Sequence, residues 1–182
     1  GGGGGLAWED LLAAHQARPM EASWNVREDV AVLPYTSGTV GLPKGVMLSH
    51  YNLVSNIRQF LSVSQVDQDD VFINHLPFYH IYGLNLLINA PIAAGATQVI
   101  MTRFAAEDFF ALVARYRPTR FFTVPPVLLA LANHPALSGH DLSSIEYVNS
   151  GAAPLPPEIA VRFQETTGVL VTRGYGLTET SP

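Results

Sequence analysis

Apolar positions along this chain recur in two alternating patterns, short continuous runs and longer stretches with helical spacing. Leu6 to His15 spaces its apolar residues as a short amphipathic helix does, and polar Trp24 to Asp29 reads as a connector. Val30 to Tyr35 is an apolar run of strand length, with Pro34 marking an irregular or edge finish. Val46-Met47-Leu48 reads as a second strand. Ser49 then stands where an N-cap is needed for a helix from about Tyr51 to Val63. Strands at Val71–Leu76, Gln98–Met101, Thr119–Val124 and Ile145–Asn149 follow, with a last one opening at Leu170–Thr172. Helices are predicted between them at Ile81–Ala94 (closed by Gly95), Ala105–Tyr116, Pro125–Ala132 and Pro157–Thr166. Continuous apolar strands alternating with helices predict an α/β fold: a mainly parallel sheet with helices on both faces.

On such sheets ligands gather beyond the strand C-termini. Leu76-Pro77-Phe78-Tyr79-His80, Val124-Pro125, Ser150-Gly151-Ala152-Ala153 and Gly174-Tyr175-Gly176-Leu177-Thr178-Glu179 all fall there. A further segment, Tyr35 to Gly45, links two predicted strands and holds hydroxyls, three glycines and Lys44, the only lysine of the chain. Glycines let backbone N–H groups converge on one point, and a mobile ammonium can follow a polyphosphate. The segment is therefore a candidate phosphate cradle, against the plainer reading of a ligand-free Gly/Pro-rich turn. It is not a Walker loop, because Pro43 stands where the second glycine belongs and Gly45 follows the lysine. The dinucleotide fingerprint G-x-G-x-x-G is absent as well.

Composition narrows the classes. The 182 residues suffice for one domain, 48% are hydrophobic and 14% charged, and the formal net charge is −5. An acidic balance without a basic run argues against a nucleic-acid surface. With no cysteine, disulfides and thiolate metal sites are excluded. Polar or Gly/Pro residues interrupt every long apolar run, so no membrane span is expected. No signal peptide opens the sequence, and the cytoplasm is the expected compartment. Gly1 to Gly5 read as a linker or tag, leaving 6–182 as one domain.

The segment Thr36-Ser37-Gly38-Thr39-Val40-Gly41-Leu42-Pro43-Lys44-Gly45 resembles the signature loop of the AMP-forming acyl-CoA synthetases, the adenylate-forming family that includes coumarate-CoA ligases. It departs from the family at Val40, where a hydroxyl is usual. Gly174 to Glu179 resembles the family's Y-G-x-T-E motif, and the two occur in the family's order. The resemblance covers nearly everything after Val30. It implies part of the large N-terminal domain of an enzyme that activates a carboxylic acid with ATP and Mg²⁺, releases pyrophosphate, and transfers the acyl group to coenzyme A with loss of AMP.

By the same resemblance Thr36, Ser37, Gly38, Thr39, Gly41 and Lys44 hold phosphates. Gly151, Ala152 and Ala153 line the adenine and adenylate pocket. Arg173 and Gly174 lead into Tyr175, which packs on adenine beside Gly176; Thr178 meets phosphate and Glu179 supports the metal. His80 packs against the acyl carboxylate, and Arg103 meets coenzyme A phosphates. For Arg103 a solvated strand-end arginine is the plainer reading, and for His80 a structural histidine. Glu179 alone could be a solvated surface carboxylate. His50, His75, His134 and His140 read as structural, and the acidic turn Asp67, Asp69 and Asp70 is assigned no chemistry.

The family's ribose aspartate, hinge and C-terminal lid with its lysine have no counterpart up to Pro182, so the sequence is expected to be an internal piece, inactive alone. Peptide-synthetase adenylation domains usually place an aspartate in the carboxylate-pocket motif. Leu76 to Ala90 holds no acidic residue. A fatty or aryl acid is therefore expected over an amino acid, with amino acid adenylation or a non-catalytic nucleotide-binding piece as alternatives.

Overall fold

The structure, a computed structural model, describes residues 7–14, 23–36 and 42–182. Helix α1, Trp8–Ala14, forms where the periodicity predicts it, but Trp8 and Leu12 stay exposed. The predicted strand at Val30–Tyr35 is two strands, β1 (Val30–Val32) and β2 (Tyr35–Thr36). Pro34 lies between them and cannot donate to a ladder. The return is likewise divided into β3 (Lys44–Gly45) and β4 (Leu48–Ser49). β1 pairs antiparallel with β4, and β2 with β3. Helix α2, His50–Ser64, starts from Ser49, whose Oγ accepts from the Asn52 N–H at 3.3 Å while the Ser49 N–H donates to Asn52 Oδ1 at 3.0 Å. This reciprocal pair satisfies two donors that a helix start otherwise leaves orphaned.

The remaining strands are β5 (Val71–Asn74), β6 (Thr97–Ile100), β7 (Arg120–Thr123), β8 (Tyr147–Ser150) and β9 (Leu170–Arg173). They form one parallel sheet in the order β6-β5-β7-β8-β9. The crossovers include α3 (Ala90–Ala94), α4 (Ala106–Tyr116), α5 (Pro125–Ala132) and α6 (Pro157–Thr167). The predicted helix at Ile81–Ala94 is mostly a π-helix, Tyr82–Asn89, that tightens into α3 and ends at Gly95. π-Helical segments are rare and concentrate at functional sites.

Strand alternation divides the core in two. Ile73, Phe121 and Val148 face Phe109, Leu128 and Phe163 of α4, α5 and α6. Phe72 and Phe122 point the other way, toward Leu87 of the π-helix and the half-buried Phe60 of α2. A third cluster joins Leu48, Leu53 and Ile81, so the β1–β4 ribbon docks on α2 and on the start of the π-helix.

Both faces of the sheet are thus covered. The chain leaves β5 toward β6 on one side and returns to β7 on the other, so strand order reverses at β5. Open α/β sheets bind ligands beyond the strand C-termini at such a reversal, which here falls between β5 and β7.

At the opposite edge Asp70 and Arg120 are buried together. Arg120 Nε donates to Asp70 Oδ1 at 2.8 Å, and Arg120 Nη1 lies 2.6 Å from Glu146 Oε2. The acidic turn that carried no expected role is therefore part of a buried ionic anchor.

Candidate functional site

β2 and β3 place Thr36 opposite Lys44 and Tyr35 opposite Gly45, so the two ends of the glycine-rich segment lie on paired antiparallel strands. A strand on each side of the segment is expected from the sequence, although the second begins at Lys44 and not at Val46. Lys44 is exposed and Thr36 half-buried. The predicted phosphate ligands Ser37, Gly38, Thr39 and Gly41, together with Val40, lie outside the described residues.

The other motifs follow parallel strands and so share one edge of the sheet. Pro77 to His80 leaves β5, Gly151 to Ala153 leaves β8, and Gly174 to Glu179 leaves β9. The Gly174 N–H donates to Ser150 O at 3.0 Å, which holds the last two segments side by side. Ala152 takes φ 68°. For a non-glycine residue the left-handed region costs about 1 kcal/mol, so the small-residue turn is held in a strained shape. Gly151 is buried, while Ala152, Ala153, Arg173, Gly174 and Gly176 are exposed. Tyr175 is 91% exposed and offers a free aromatic face. Thr178 and Glu179 lie on a 3₁₀ turn, Thr178–Thr180, with Glu179 exposed. His80 is exposed and oriented by the Tyr82 backbone N–H, which donates to its Nδ1 at 3.1 Å. With Nδ1 accepting, the neutral ring carries its proton on Nε2.

Arg103 stands apart. It follows β6 at the edge of the sheet farthest from β9 and lines a surface concavity with Met101, Asp108 and Leu112.

Two residues without an assigned role join the motifs from beneath. The Tyr82 hydroxyl donates to Asn149 Oδ1 at 3.3 Å, and Asn149 Nδ2 donates to Thr172 Oγ1 at 3.0 Å. A Cβ on Gly174 would stand 2.7 Å from Asn149 Oδ1, so glycine at that position leaves room for the bridge. A tyrosine and an asparagine inside otherwise apolar stretches were the available signal. Burial holds the Tyr82 hydroxyl in its protonated, donating form by raising its pKa.

His75 is structural in geometry, as expected. Its Nε2 lies 3.0 Å from Thr123 Oγ1 and its ring packs on Phe104 and Phe121. Burial pushes its pKa down from the ordinary 6.5 to about 4. The unfolded chain therefore binds the proton at higher pH than the folded one. The neutral histidine's contribution is fully present above 6.5 and is lost as pH falls toward 4. At about pH 5 the loss is about 2 kcal/mol. Urea unfolding at neutral pH and at about pH 5 is expected to show that difference, and His75→Gln to remove most of it.

Among the described residues no three His, Cys, Asp or Glu side chains converge on one point. The exposed carboxylate of Glu179 nevertheless suits Mg²⁺, which commonly takes one or two carboxylates and completes its shell with phosphate and water. No helix among the described residues is long and apolar enough to cross a membrane.

Residues 4–182 match the model of the AMP-binding enzyme family. The chain belongs to that family. It is 42% identical over 188 aligned positions to 4-coumarate–CoA ligase 1 of Petroselinum crispum, covering 97% of this chain and 33% of that protein. It is 36% identical to the long-chain-fatty-acid–CoA ligase of Bacillus subtilis (strain 168), over 85% of this chain and 28% of that protein. Among solved structures, ATP-bound MatB from Rhodopseudomonas palustris superposes with a TM-score of 0.84 at 32% identity, over 93% of this chain and 33% of that one. This member of the AMP-binding family spans about a third of the length of the curated relatives it matches.

Proposed function

We propose that this chain is the nucleotide-binding core of a carboxylate-activating ligase that makes an acyl-adenylate and passes the acyl group to coenzyme A. The observation that carries the reading is the gathering of three motifs at one edge of the parallel sheet, with Lys44 on a neighbouring hairpin. In the first step a carboxylate oxygen attacks the α-phosphorus of ATP, and the bond to pyrophosphate breaks. In the second the thiolate of coenzyme A attacks the acyl carbonyl, and AMP leaves.

The chain's own part is positional and electrostatic. Lys44 and the hydroxyl of Thr36, facing each other at the hairpin base, meet the departing phosphates. The small residues Gly151 to Ala153 leave space for adenine, and Tyr175 covers its face. Thr178 reaches phosphate from the 3₁₀ turn, and Glu179 would hold Mg²⁺, which supplies charge neutralisation on the phosphates. His80, fixed through Nδ1, presents Nε2–H toward an acyl carboxylate. A fatty or aryl acid is the proposed substrate class, supported by the names of the relatives and by the lack of an acidic residue between Leu76 and Ala90.

A polypeptide of the relatives' full length carrying this sequence is expected to release pyrophosphate and form acyl hydroxamate with ATP, Mg²⁺, a fatty or aryl acid and hydroxylamine. The 182-residue chain alone is expected to bind ATP without turnover. A full-length protein that forms no hydroxamate with any such acid would overturn the ligase reading. Lys44→Ala tests the phosphate assignment directly. A charge-assisted hydrogen bond is worth about 1.5–3 kcal/mol, so ATP binding should weaken about tenfold or more. Lys44 is exposed, and the melting temperature should hardly move. Early unfolding with ATP affinity intact would refute the assignment.

A further inference from the structure

Asn85 is fully buried in the apolar π-helix, yet none of its amide donors bonds within that helix. Its Nδ2 reaches Ser181 O at 2.7 Å, Asn56 Oδ1 at 2.9 Å and Leu53 O at 3.3 Å. Its Oδ1 accepts from Asn89 Nδ2 at 3.2 Å. Asn56 in turn donates through Nδ2 to Pro182 O at 2.7 Å. Two asparagines from two different helices thus grip Ser181 and Pro182, the residues that follow the Thr178–Glu179 turn.

That turn is a closed unit. The Thr180 N–H donates to Leu177 O at 3.0 Å, the Ser181 N–H to Thr178 O at 3.3 Å, and the Leu177 N–H to Thr180 Oγ1 at 3.2 Å. Gly176 is seated on Pro182, with space for a Cβ only 3.1 Å from it. Ser181 is buried while Glu179 is exposed. The grip therefore acts on the inner end of a stiff turn whose outer side carries the proposed phosphate and metal groups.

We infer that Asn85, with Asn56, is a positioning residue for nucleotide binding. It touches no nucleotide. It fixes the turn so that Thr178 and Glu179 need not be ordered when the phosphates arrive, which removes an entropic cost from binding. A buried amide is tolerated in an apolar helix only when its donors are met, and here the shortest of their contacts is to the segment being positioned, the others to Asn56 and Leu53 of α2. The inference rests on the proposed nucleotide site.

Hydrogen exchange and binding of a fluorescent ATP analogue by the 182-residue chain test it together. Asn85→Leu keeps the size and deletes the donors. Asn56→Ala, at a half-buried position, serves if the first variant does not fold. Expected are exchange about tenfold faster at the Thr180 and Ser181 amides, unchanged protection in the five-stranded sheet, and about tenfold weaker analogue binding. Unchanged exchange at those two amides would overturn the inference. So would faster exchange with undiminished affinity, since the grip would then be structural only. If the unsubstituted chain binds no analogue, the nucleotide reading fails first and the positioning role falls with it.

Discussion

Asp70→Ala is expected to lower the unfolding free energy by about 3 kcal/mol, the lower end of the cost of breaking a buried ion pair. Arg120 would keep Glu146 at 2.6 Å, but that carboxylate is largely exposed and cannot replace the buried partner. Asp70 accepts from the Thr119 hydroxyl at 2.5 Å and from Arg120 Nε at 2.8 Å, binding the start of β5 to that of β7. For a chain of this size the loss corresponds to a melting temperature lower by roughly 6–12 °C. Burial by itself would raise the Asp70 pKa; the hydrogen bonds from Thr119 and Arg120 outweigh it and hold the carboxyl below its ordinary value. A depressed carboxylate stabilises the fold above its unfolded pKa, about 3.9, and that contribution disappears as pH falls through the folded value. The alanine variant should therefore lose less stability than the parent on acidification below about pH 4. Combining Asp70→Ala with Arg120→Met should recover part of the loss, because no unpaired charge then remains buried. Equal stability of the single and double variants would show that the pair contributes only through packing.

The alternation of strands and helices, and the sharing of one sheet edge by three motifs, were legible because both follow from local periodicity. Val71 to Asn74 and Arg120 to Thr123 are apolar or flanked by apolar residues wherever both sheet faces are covered, and that is visible without knowing any partner. The divided strands at the hairpin were not legible. Runs of two or three residues carry no period, and the pairing of Val30 with Ser49 depends on residues distant in the chain. The π-helix was invisible for a related reason. Its Asn74 neighbour, whose Nδ2 donates to Leu87 O at 2.9 Å, enters from β5 and draws on a carbonyl that the wider helix leaves accessible. Asp70 read as one acid of a short acidic turn without assigned chemistry because its cation, Arg120, stands fifty residues later. Asn85 and Asn89 are polar residues one turn apart in an apolar run, and no role was assigned to them from the sequence. Only the fold shows that Asn85 reaches Ser181.

Gly83→Ala is expected to destabilise the chain by about 3 kcal/mol or more, at or beyond the upper end of ordinary overpacking. A Cβ at this buried position would lie 2.2 Å from the Pro77 carbonyl oxygen and 2.9 Å from its carbon. The obstacle is backbone, which no rotamer change can clear. Relief requires either the π-helix or the Pro77–His80 turn to move. The same Pro77 oxygen accepts the His80 N–H at 3.2 Å, and the Tyr82 N–H orients the His80 ring. Any shift that accommodates a methyl group is thus transmitted to the proposed carboxylate-facing histidine. Thermal melts should show a fall of roughly 6–12 °C, with a displaced His80 ring resonance in the NMR spectrum of the folded fraction. Gly139→Ala is the matched control. Nothing lies within 4 Å of its Cβ position, and its stability should stay within about 0.5 kcal/mol of the parent. A Gly83→Ala protein as stable as that control, with an unmoved His80 resonance, would mean that the helix start yields without disturbing the turn. The close approach of Gly83 to Pro77 would then have no part in placing the histidine.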